Sequence, residues 1–437
     1  MKKIKTINVI GGGFAGCEAA WQIANRGVKV NLYEMKPKKF TPAHKSEKLC
    51  ELVCSNSFKA RRIDSAAGLL KHEMELLNSL IISCAKQSEV PAGGALAVDR
   101  EKFSELVTQK VKNHKLINVI SQEISEIPRD RITIIASGPL TSDSLAKTIK
   151  EQTGGLLSFF DAAAPIVTFE SIDMNHAFFA SRYGKGDGND YLNCPLSKEE
   201  YENFYNQLIN AERAPLHDVD TQDLRVYEGC MPVEVMARRG VDTLRFGPMK
   251  PVGLIDPKTD RRPYAVVQLR KETLEGNLYN MVGFQTNLKF KEQQRVFSQI
   301  PALKNLDIVR YGVMHRNMFI NSPKLLNPDY SMRNNPNLFF AGQITGVEGY
   351  IESASSGMIA GINAARKANS EESVCFSEKT IMGALSKYIS DECRVDFQPM
   401  GANFGIILPL ENHIKDKKLR YEEFAKRSVE YIKSINL

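Results

Sequence analysis

A glycine-rich turn near the start of the chain limits the possible folds more than any other feature. Residues 7–10 are apolar and predict a buried strand, which runs directly into Gly11-Gly12-Gly13-Phe14-Ala15-Gly16. In such a G-x-G-x-x-G pattern the first glycine permits a tight turn, the second admits a pyrophosphate, and the third lets the next helix pack closely. Glu34 closes the second predicted strand, where its carboxylate can accept from ribose hydroxyls. The segment predicts a βαβ unit, a parallel sheet and a dinucleotide site.

A second segment near the other end indicates which dinucleotide binds. Residues 338–341 predict a buried strand that ends at Gly342 and Gln343, and a Gly- and Ala-rich stretch containing Gly349 follows. We expect this strand to return to the first sheet, so that its small residues lie against a flavin. A helix starting near Ser353 would direct its N-terminus at the electron-rich end of the isoalloxazine ring. A plain NAD dehydrogenase does not need this return, and FAD is therefore the predicted cofactor.

The length of 437 residues indicates more than one domain. The middle of the chain differs from both ends, with a turn-rich piece at 184–189 and short possible strands such as 264–270. The predicted fold class is α/β, with an FAD-binding, Rossmann-like, doubly wound domain built from both chain ends. We expect residues 1–164 and 326–437 to form that domain and residues 165–325 to form an inserted mixed α/β domain for substrate or RNA.

Composition restricts the location and partners of the protein. No apolar run approaches the roughly 20 residues needed to cross a bilayer, and the N-terminus resembles no signal peptide, which predicts a cytoplasmic protein without a membrane partner. Eight cysteines without CxxC spacing predict free thiols and no metal site. The net charge of +7 is compatible with RNA, although basic pairs such as Arg238-Arg239 and Arg261-Arg262 are equally compatible with solvated surface. No protein partner is predicted.

Two cysteines have unusual neighbours. Cys54 is followed by Ser55-Asn56-Ser57, and Cys230 stands between Gly229 and Met231-Pro232. A single cysteine is more often a small buried hydrophobic residue than a nucleophile, so local sequence leaves both interpretations open.

Several segments together resemble a known family, the TrmFO family of folate- and flavin-dependent RNA uracil-C5 methyltransferases. The resemblance covers nearly the whole chain and is carried by residues 34–37, 41–44, 51–57, 90–100, 136–141, 228–234 and 342–350. The GidA-type tRNA-modifying flavoproteins are similar at both ends of the chain but are longer.

The resemblance implies methylation of a uridine to 5-methyluridine in RNA. The carbon donor would be 5,10-methylenetetrahydrofolate, and NAD(P)H would reduce the FAD. The implied target is position 54 of the tRNA T loop, while some similar proteins act on a uridine of 23S ribosomal RNA. No second Rossmann turn is evident, so NAD(P)H is expected to bind transiently near the flavin.

The resemblance also implies roles for individual residues. Cys230 would add to uracil C6, which activates C5 for attack, and Cys54 would act near the flavin as base or as protector of the activated carbon. The reverse assignment of the two thiols stays open. His315 would stack on the pterin of the folate, although a structural histidine is an equal alternative, and Tyr350 would lie near the isoalloxazine ring.

Two further sets of residues are expected to bind ligands. Gly93, Gly94 and Arg100 would contact FAD, since a glycine pair followed by a basic residue suits a phosphate or ribose. Arg238 and Arg239, eight and nine residues after Cys230, would hold an RNA phosphate.

Two readings from other classes remain. An ordinary flavin oxidoreductase would act on a small molecule without RNA or folate. A scaffold that keeps FAD for structural reasons would tolerate Cys230→Ser.

Overall fold

Strands from both ends of the chain form one sheet. The computed structural model describes residues 5–215 and 231–435. In chain order its strands are β1 (Thr6–Ile10), β2 (Lys29–Glu34), β3 (Ser57–Ala60), β4 (Glu89–Val90), β5 (Ala95–Val98), β6 (Ile117–Ser121), β7 (Thr133–Ile135), β8 (Leu157–Ala162), β9 (Ile166–Thr168), β10 (Phe178–Phe179), β11 (Tyr191–Leu196), β12 (Ala265–Lys271), β13 (Leu278–Met281), β14 (Ile308–Arg310), β15 (Met314–Phe319), β16 (Ser331–Met332) and β17 (Asn335–Phe340).

The helices follow the same order. They are α1 (Phe14–Asn25), α2 (Ala66–Leu76), α3 (Leu80–Gln87), α4 (Arg100–Asn113), α5 (Asp143–Thr153), α6 (Lys198–Ile209), α7 (Val233–Ala237), α8 (Thr243–Phe246), α9 (Phe290–Phe297), α10 (Ser322–Leu325), α11 (Tyr350–Asn369), α12 (Ile381–Ser390) and α13 (Lys417–Ser434).

The first sheet has the strand order β16–β17–β7–β1–β2–β6. Its neighbouring strands are parallel, except that β16 pairs antiparallel with β17. β17 comes from the C-terminal part of the chain and lies beside β7, with Leu338 opposite Thr133 and Phe340 opposite Ile135. The predicted fold class is confirmed, including the opening βαβ unit and the strand that returns from the far end.

Helices α1 and α11 pack closely against each other. α11 begins at Tyr350, earlier than the predicted start near Ser353, because Gly349 adopts a φ of 122° and turns the chain into the helix. A Cβ atom on Gly357 would lie only 2.1 Å from the carbonyl oxygen of Ala15. The two backbones approach this closely because the position lacks a side chain. The contact joins the two ends of the chain.

The residues between β8 and β15 form a second sheet with its own core. The strand order is β10–β11–β12–β13–β9–β14, and neighbouring strands are antiparallel. The hydrophobic cluster of this sheet extends from Val167 to Ile308 and is separate from that of the first sheet. A separate core is what defines a domain. The exact limits 165 and 325 stay predictions.

A two-stranded ribbon, formed by β8 and β15, connects the two cores. The strands pair antiparallel, from Leu157 opposite Phe319 to Ala162 opposite Met314. The chain therefore enters and leaves the inserted domain through adjacent strands. Phe159 and Phe319 of this connecting ribbon belong to the core of the first sheet.

A buried carboxylate attaches the C-terminal helices to the first domain. Glu73 of α2 accepts from the backbone N–H groups of Ile381 and Met382 at 2.8 and 2.9 Å, and from the Ser428 hydroxyl at 2.5 Å. Burial raises the pKa of Glu73 to about 7, although the three hydrogen bonds lower it. One side chain thus fixes the N-terminus of α12 and the middle of α13 against α2.

We expect Glu73→Ala to lower the apparent free energy of unfolding by about 1–3 kcal/mol, because buried N–H groups lose their acceptor. Urea denaturation followed by circular dichroism measures the loss. Glu75→Ala, on an exposed position of the same helix, is the matched control and should change stability by less than about 0.5 kcal/mol. Equal losses in the two variants would contradict the role given to Glu73.

Candidate active site

A cleft lies along the carboxyl ends of the parallel strands of the first sheet. It encloses about 1340 Å³, including its open mouth. The connecting ribbon closes one side of it with Asp161, Ala162, His315 and Asn317. Of the site residues predicted from sequence, those lining the cleft are residues 11–15, Glu34, Cys54, His315, Gly342, Gln343 and Tyr350.

The turn between β1 and α1 has the geometry of a pyrophosphate site. A Cβ atom on Gly11 would lie 2.4 Å from the Ala136 carbonyl oxygen, and one on Gly16 would lie 1.8 Å from the Gly11 carbonyl oxygen. A Cβ atom on Gly13, by contrast, would meet no atom within 4 Å. Gly13 also caps α1 without a side-chain hydrogen bond, which leaves the first N–H groups of the helix available to an anion.

Glu34 holds the turn and faces the same cleft. Its carboxylate accepts from the backbone N–H of Gly12 at 2.8 Å and from that of Lys36 at 3.0 Å. A carboxylate offers about four acceptor positions, so both oxygens retain capacity for ribose hydroxyls.

Cys54 and Tyr350 meet where the two ends of the chain come together. The Tyr350 hydroxyl accepts from the Cys54 N–H at 2.9 Å and lies 3.2 Å from Sγ. The Tyr350 ring stacks on Phe14, with ring centroids 4.6 Å apart. The first residue of α1, the first residue of α11 and the Cys54 thiol therefore form one contact group.

The environment of Cys54 keeps its thiol protonated. Burial and the nearby carboxylate of Asp161 raise the pKa of Cys54 to about 11, while the Tyr350 hydrogen bond and Arg100 act in the opposite direction. A nucleophilic cysteine normally requires a lowered pKa. The geometry thus favours a proton-handling thiol over a resting thiolate at this position.

Arg100 lies behind the Cys54 segment and does not line the cleft. It forms a buried ion pair with Glu272 of the inserted domain. Its guanidinium donates to the carbonyl oxygens of Leu52 and Cys54 at 2.6 and 3.0 Å. The predicted contact of Arg100 with FAD stays a prediction; in the structure its donors are directed at this backbone and at Glu272, which holds the thiol segment in position.

Gly93 and Gly94 are also away from the cleft. The Gly93 N–H donates to Asp190 of the inserted domain at 3.0 Å, and the neighbouring Ala92 carbonyl accepts from the Tyr191 hydroxyl at 3.1 Å. Gly93 therefore forms part of the contact between the two domains, and neither glycine lines the cleft with the other predicted FAD residues.

His315 lies on the connecting ribbon, opposite Asp161 in the strand pairing. Its Nε2 atom is buried and has no hydrogen-bond partner within the part of the chain that the structure describes. Burial, Arg310 and His44 lower the pKa of His315 to about 4. The imidazole is therefore neutral at physiological pH, and the residue lines the cleft while its Nε2 atom is buried.

The low pKa of His315 makes stability depend on pH. His315 binds a proton near pH 6.5 in the unfolded chain but only near pH 4 in the folded chain. Between these pH values protonation of His315 therefore favours unfolding. Between pH 8 and pH 5, we expect the free energy of unfolding to fall by about 1–2 kcal/mol less in His315→Phe than in wild type. Urea titrations at both pH values test this, with exposed His413→Gln as the control. Identical pH dependence in wild type and His315→Phe would contradict it.

Two of the remaining predicted residues are in the inserted domain, and the third is not described. Cys230 lies outside the described residues. Arg238 and Arg239 are exposed directly after α7, and Arg238 donates to the Ile209 carbonyl oxygen at 3.0 Å. Their role with RNA stays a prediction.

Several polar residues of this region were not found from sequence. Asp161 lines the cleft from β8, and His44 lines it with Nδ1 2.6 Å from the Thr41 hydroxyl. Glu348 accepts from Gln343 at 2.6 Å, and burial together with Asp161 raises its pKa to about 8. His44 and Glu348 belong to segments that carry the family resemblance. Asp161 lies near the end of a short apolar strand, and no sequence pattern indicated that it reaches the cleft.

Across residues 5–435, apart from the gap at 216–230, no helix is both long and apolar enough to cross a membrane.

Fold and cleft together define a Rossmann-type dinucleotide-binding protein with an inserted antiparallel domain. The profile of the family described as glucose inhibited division protein A matches residues 6–372. Aquifex aeolicus GidA superimposes with a TM-score of 0.69 at 17% identity, covering 98% of this chain and 75% of that chain, which is a likeness of fold.

Curated relatives are closer in sequence. A protein of Acetivibrio thermocellus is 60% identical over 98% of both chains, and one of Bacillus pumilus is 56% identical over the same share. Both carry the name methylenetetrahydrofolate–tRNA-(uracil-5-)-methyltransferase TrmFO. The chain belongs to the glucose inhibited division protein A family and, within it, to the TrmFO proteins.

Proposed function

We propose that this protein methylates C5 of a uridine in tRNA, with 5,10-methylenetetrahydrofolate as carbon donor and FAD as redox cofactor. The observation that carries the proposal is the position of Cys54, a thiol held at the closed end of a dinucleotide cleft. The names of the relatives, which match over 98% of the chain, support the carbon donor and the RNA substrate. Position 54 of the T loop and a cytoplasmic location are part of the same proposal.

The residues of the cleft fit FAD. The turn at Gly11 and Gly16 leaves no room for side chains, and the free N–H groups of α1 suit a pyrophosphate. Glu34 suits the ribose of the adenosine half, while Cys54 and Tyr350 mark the other end, where the ring system would lie. Bound FAD, reduced by NAD(P)H, supplies transfer of the one-carbon unit. It also supplies the electrons that convert a methylene group into a methyl group.

Uracil itself needs activation, because C5 is a weak nucleophile. We assign the attack on C6 to the thiolate of Cys230, which makes C5 able to form the new carbon–carbon bond. The proton on C5 must then pass to a base, a hydride must convert the methylene group on C5 into methyl, and elimination of the Cys230 thiolate from C6 restores the uracil ring. Cys54 is assigned as that base because it contacts the Tyr350 hydroxyl at the closed end of the cleft; since its thiol is protonated at rest, it must lose its own proton before it accepts the one from C5.

Folate and RNA are assigned to different residues. The neutral imidazole of His315 lines the cleft and offers a flat ring to a pterin. Arg238 and Arg239 are exposed and suit RNA phosphates.

Nucleoside mass spectrometry tests the proposal. Purified protein is incubated with FAD, NADPH or NADH, isotope-labelled methylenetetrahydrofolate, and unmodified tRNA or 23S ribosomal RNA transcripts in separate reactions. Labelled 5-methyluridine in the T loop is the expected result. Label confined to ribosomal RNA would retain the chemistry and replace the substrate. NAD(P)H oxidation without label in either RNA would overturn the proposal in favour of a small-molecule oxidoreductase.

A further inference from the structure

An exposed tyrosine of the inserted domain has an unusual backbone conformation. Tyr183 is 63% exposed and adopts φ 58° and ψ 27°, within the glycine-rich segment 182–189. The left-handed region is unfavourable for a bulky side chain and persists only where the surroundings impose it. Neither the fold nor the proposed chemistry accounts for an aromatic ring at this position.

The surroundings hold Tyr183 in place. Its N–H donates to the Gly253 carbonyl oxygen at 3.1 Å, while Arg182 donates to the Val252 carbonyl oxygen at 2.8 Å and to the Gln268 side chain at 2.9 Å. The Tyr183 ring packs so closely on Gly253 that a Cβ atom there would lie 2.9 Å from ring atoms. One part of the ring is thus fixed on backbone, and the rest faces solvent.

Cations lie on both chain segments that meet at this ring. The Lys185 ammonium is 5.9 Å from the ring centroid. Lys250, Arg261 and Arg262 are exposed on the segment that contains Gly253, and none of these four makes an ion pair with a described residue. A fixed aromatic face between two segments that carry unpaired positive charges has the chemistry of a single-stranded RNA site, where bases stack and phosphates are neutralised.

The inserted domain contacts the first domain close to this segment and close to Cys54. Asp190, directly after the segment, accepts from the Gly93 N–H of the first domain. Arg270, on the strand next to β11, donates to Asn56 at 2.8 Å and to Ser55 at 2.9 Å, the two residues after Cys54. The sheet that carries the segment is therefore fixed directly to the residues that follow the thiol.

We propose that Tyr183 is a stacking platform for an unpaired base of the RNA substrate, with Lys185, Lys250, Arg261 and Arg262 holding its phosphates. The assignment rests on the proposed function, because it takes RNA as the substrate. The Tyr183 platform holds a loop nucleotide outside the cleft while the target uridine enters.

Kinetics with tRNA transcripts test the platform. Tyr183→Ala should raise KM for tRNA about 5- to 100-fold, with kcat changed less than about threefold, because stacking contributes to binding and not to the chemical step. Tyr183→Phe keeps the ring and should stay within about threefold of wild type. Equal loss in both variants, or no loss in Tyr183→Ala, would overturn the proposal.

A fluorescence reporter tests the contact itself. The chain has one tryptophan, Trp21, so Tyr183→Trp in a Trp21→Phe background places a single reporter on the surface. Short single-stranded RNA should quench it, and an abasic strand of equal length should not. Quenching equally strong with the abasic strand, or absent with both, would overturn base stacking. This measurement requires no turnover, so its failure is separate from failure of methylation.

The cations have a matched control. Lys250→Ala should weaken tRNA binding and reduce its salt dependence, whereas exposed Lys415→Ala, before α13, removes the same charge elsewhere and should not. Equal effects of the two substitutions would overturn the assignment of phosphates to this surface.

Discussion

Cys54→Ala is expected to abolish methyl transfer while FAD stays bound. The thiol contributes no backbone contact that the alanine would lose, because the Cys54 N–H still donates to Tyr350. Loss of a positioned proton-transfer group lowers rates by about 10²- to 10⁴-fold. Labelled 5-methyluridine formed per unit time measures the effect, and flavin absorption after gel filtration shows whether the cofactor remains.

Two matched variants sharpen this experiment. Cys375→Ala removes an exposed thiol and should leave the rate unchanged. Tyr350→Phe keeps the ring on Phe14 but removes the hydroxyl partner of Cys54, so we expect a smaller loss of about 10-fold. Methylation by Cys54→Ala at the wild-type rate would refute the role of this thiol, and the two cysteines would then have to exchange their assignments.

Gly16→Ala is expected to prevent FAD binding. The added Cβ atom would lie 1.8 Å from the Gly11 carbonyl oxygen, so the turn between β1 and α1 must open. Movement of that turn displaces the N–H groups of α1 from the pyrophosphate, and we expect FAD affinity to fall by more than about 100-fold. Flavin retained after gel filtration, together with titration of the apoprotein with FAD, measures the loss.

Gly94→Ala is the matched control for that loss. Gly94 has no atom within 4 Å of an added Cβ and lies away from the cleft, so FAD affinity should stay within about twofold of wild type. The comparison also tests the sequence prediction that Gly94 contacts FAD. Normal flavin content in Gly16→Ala would show that the turn is not the pyrophosphate site.

Local sequence was sufficient for the parts of the fold that depend on short-range geometry. The strand–turn–helix at Gly11–Gly16 requires particular residues at fixed spacing, and the structure forms it at the predicted place. The predicted start of α11 near Ser353 was too late, because the helical pattern of small residues has no clear beginning in the sequence. Only the φ of Gly349 fixes where that helix begins.

Long-range contacts explain what sequence could not predict. Arg100 follows a glycine pair and looks like a phosphate ligand, yet its partner Glu272 is 172 residues away in the chain. Asp161 reaches the cleft only because β8 pairs with β15, which also carries His315. Neither the Arg100–Glu272 ion pair nor the β8–β15 pairing can be predicted from local sequence, since each depends on how the two domains meet.

The connecting ribbon has a consequence for how such a protein can change over time. Because Ala162 and Met314 stand opposite each other, the points where the chain leaves and rejoins the first domain are about 5 Å apart. Residues 163–313 are thus inserted at a single hairpin of the first domain. Lineages that keep the Arg100–Glu272 and Arg270–Asn56 contacts can therefore change the rest of the inserted domain while the dinucleotide cleft stays the same.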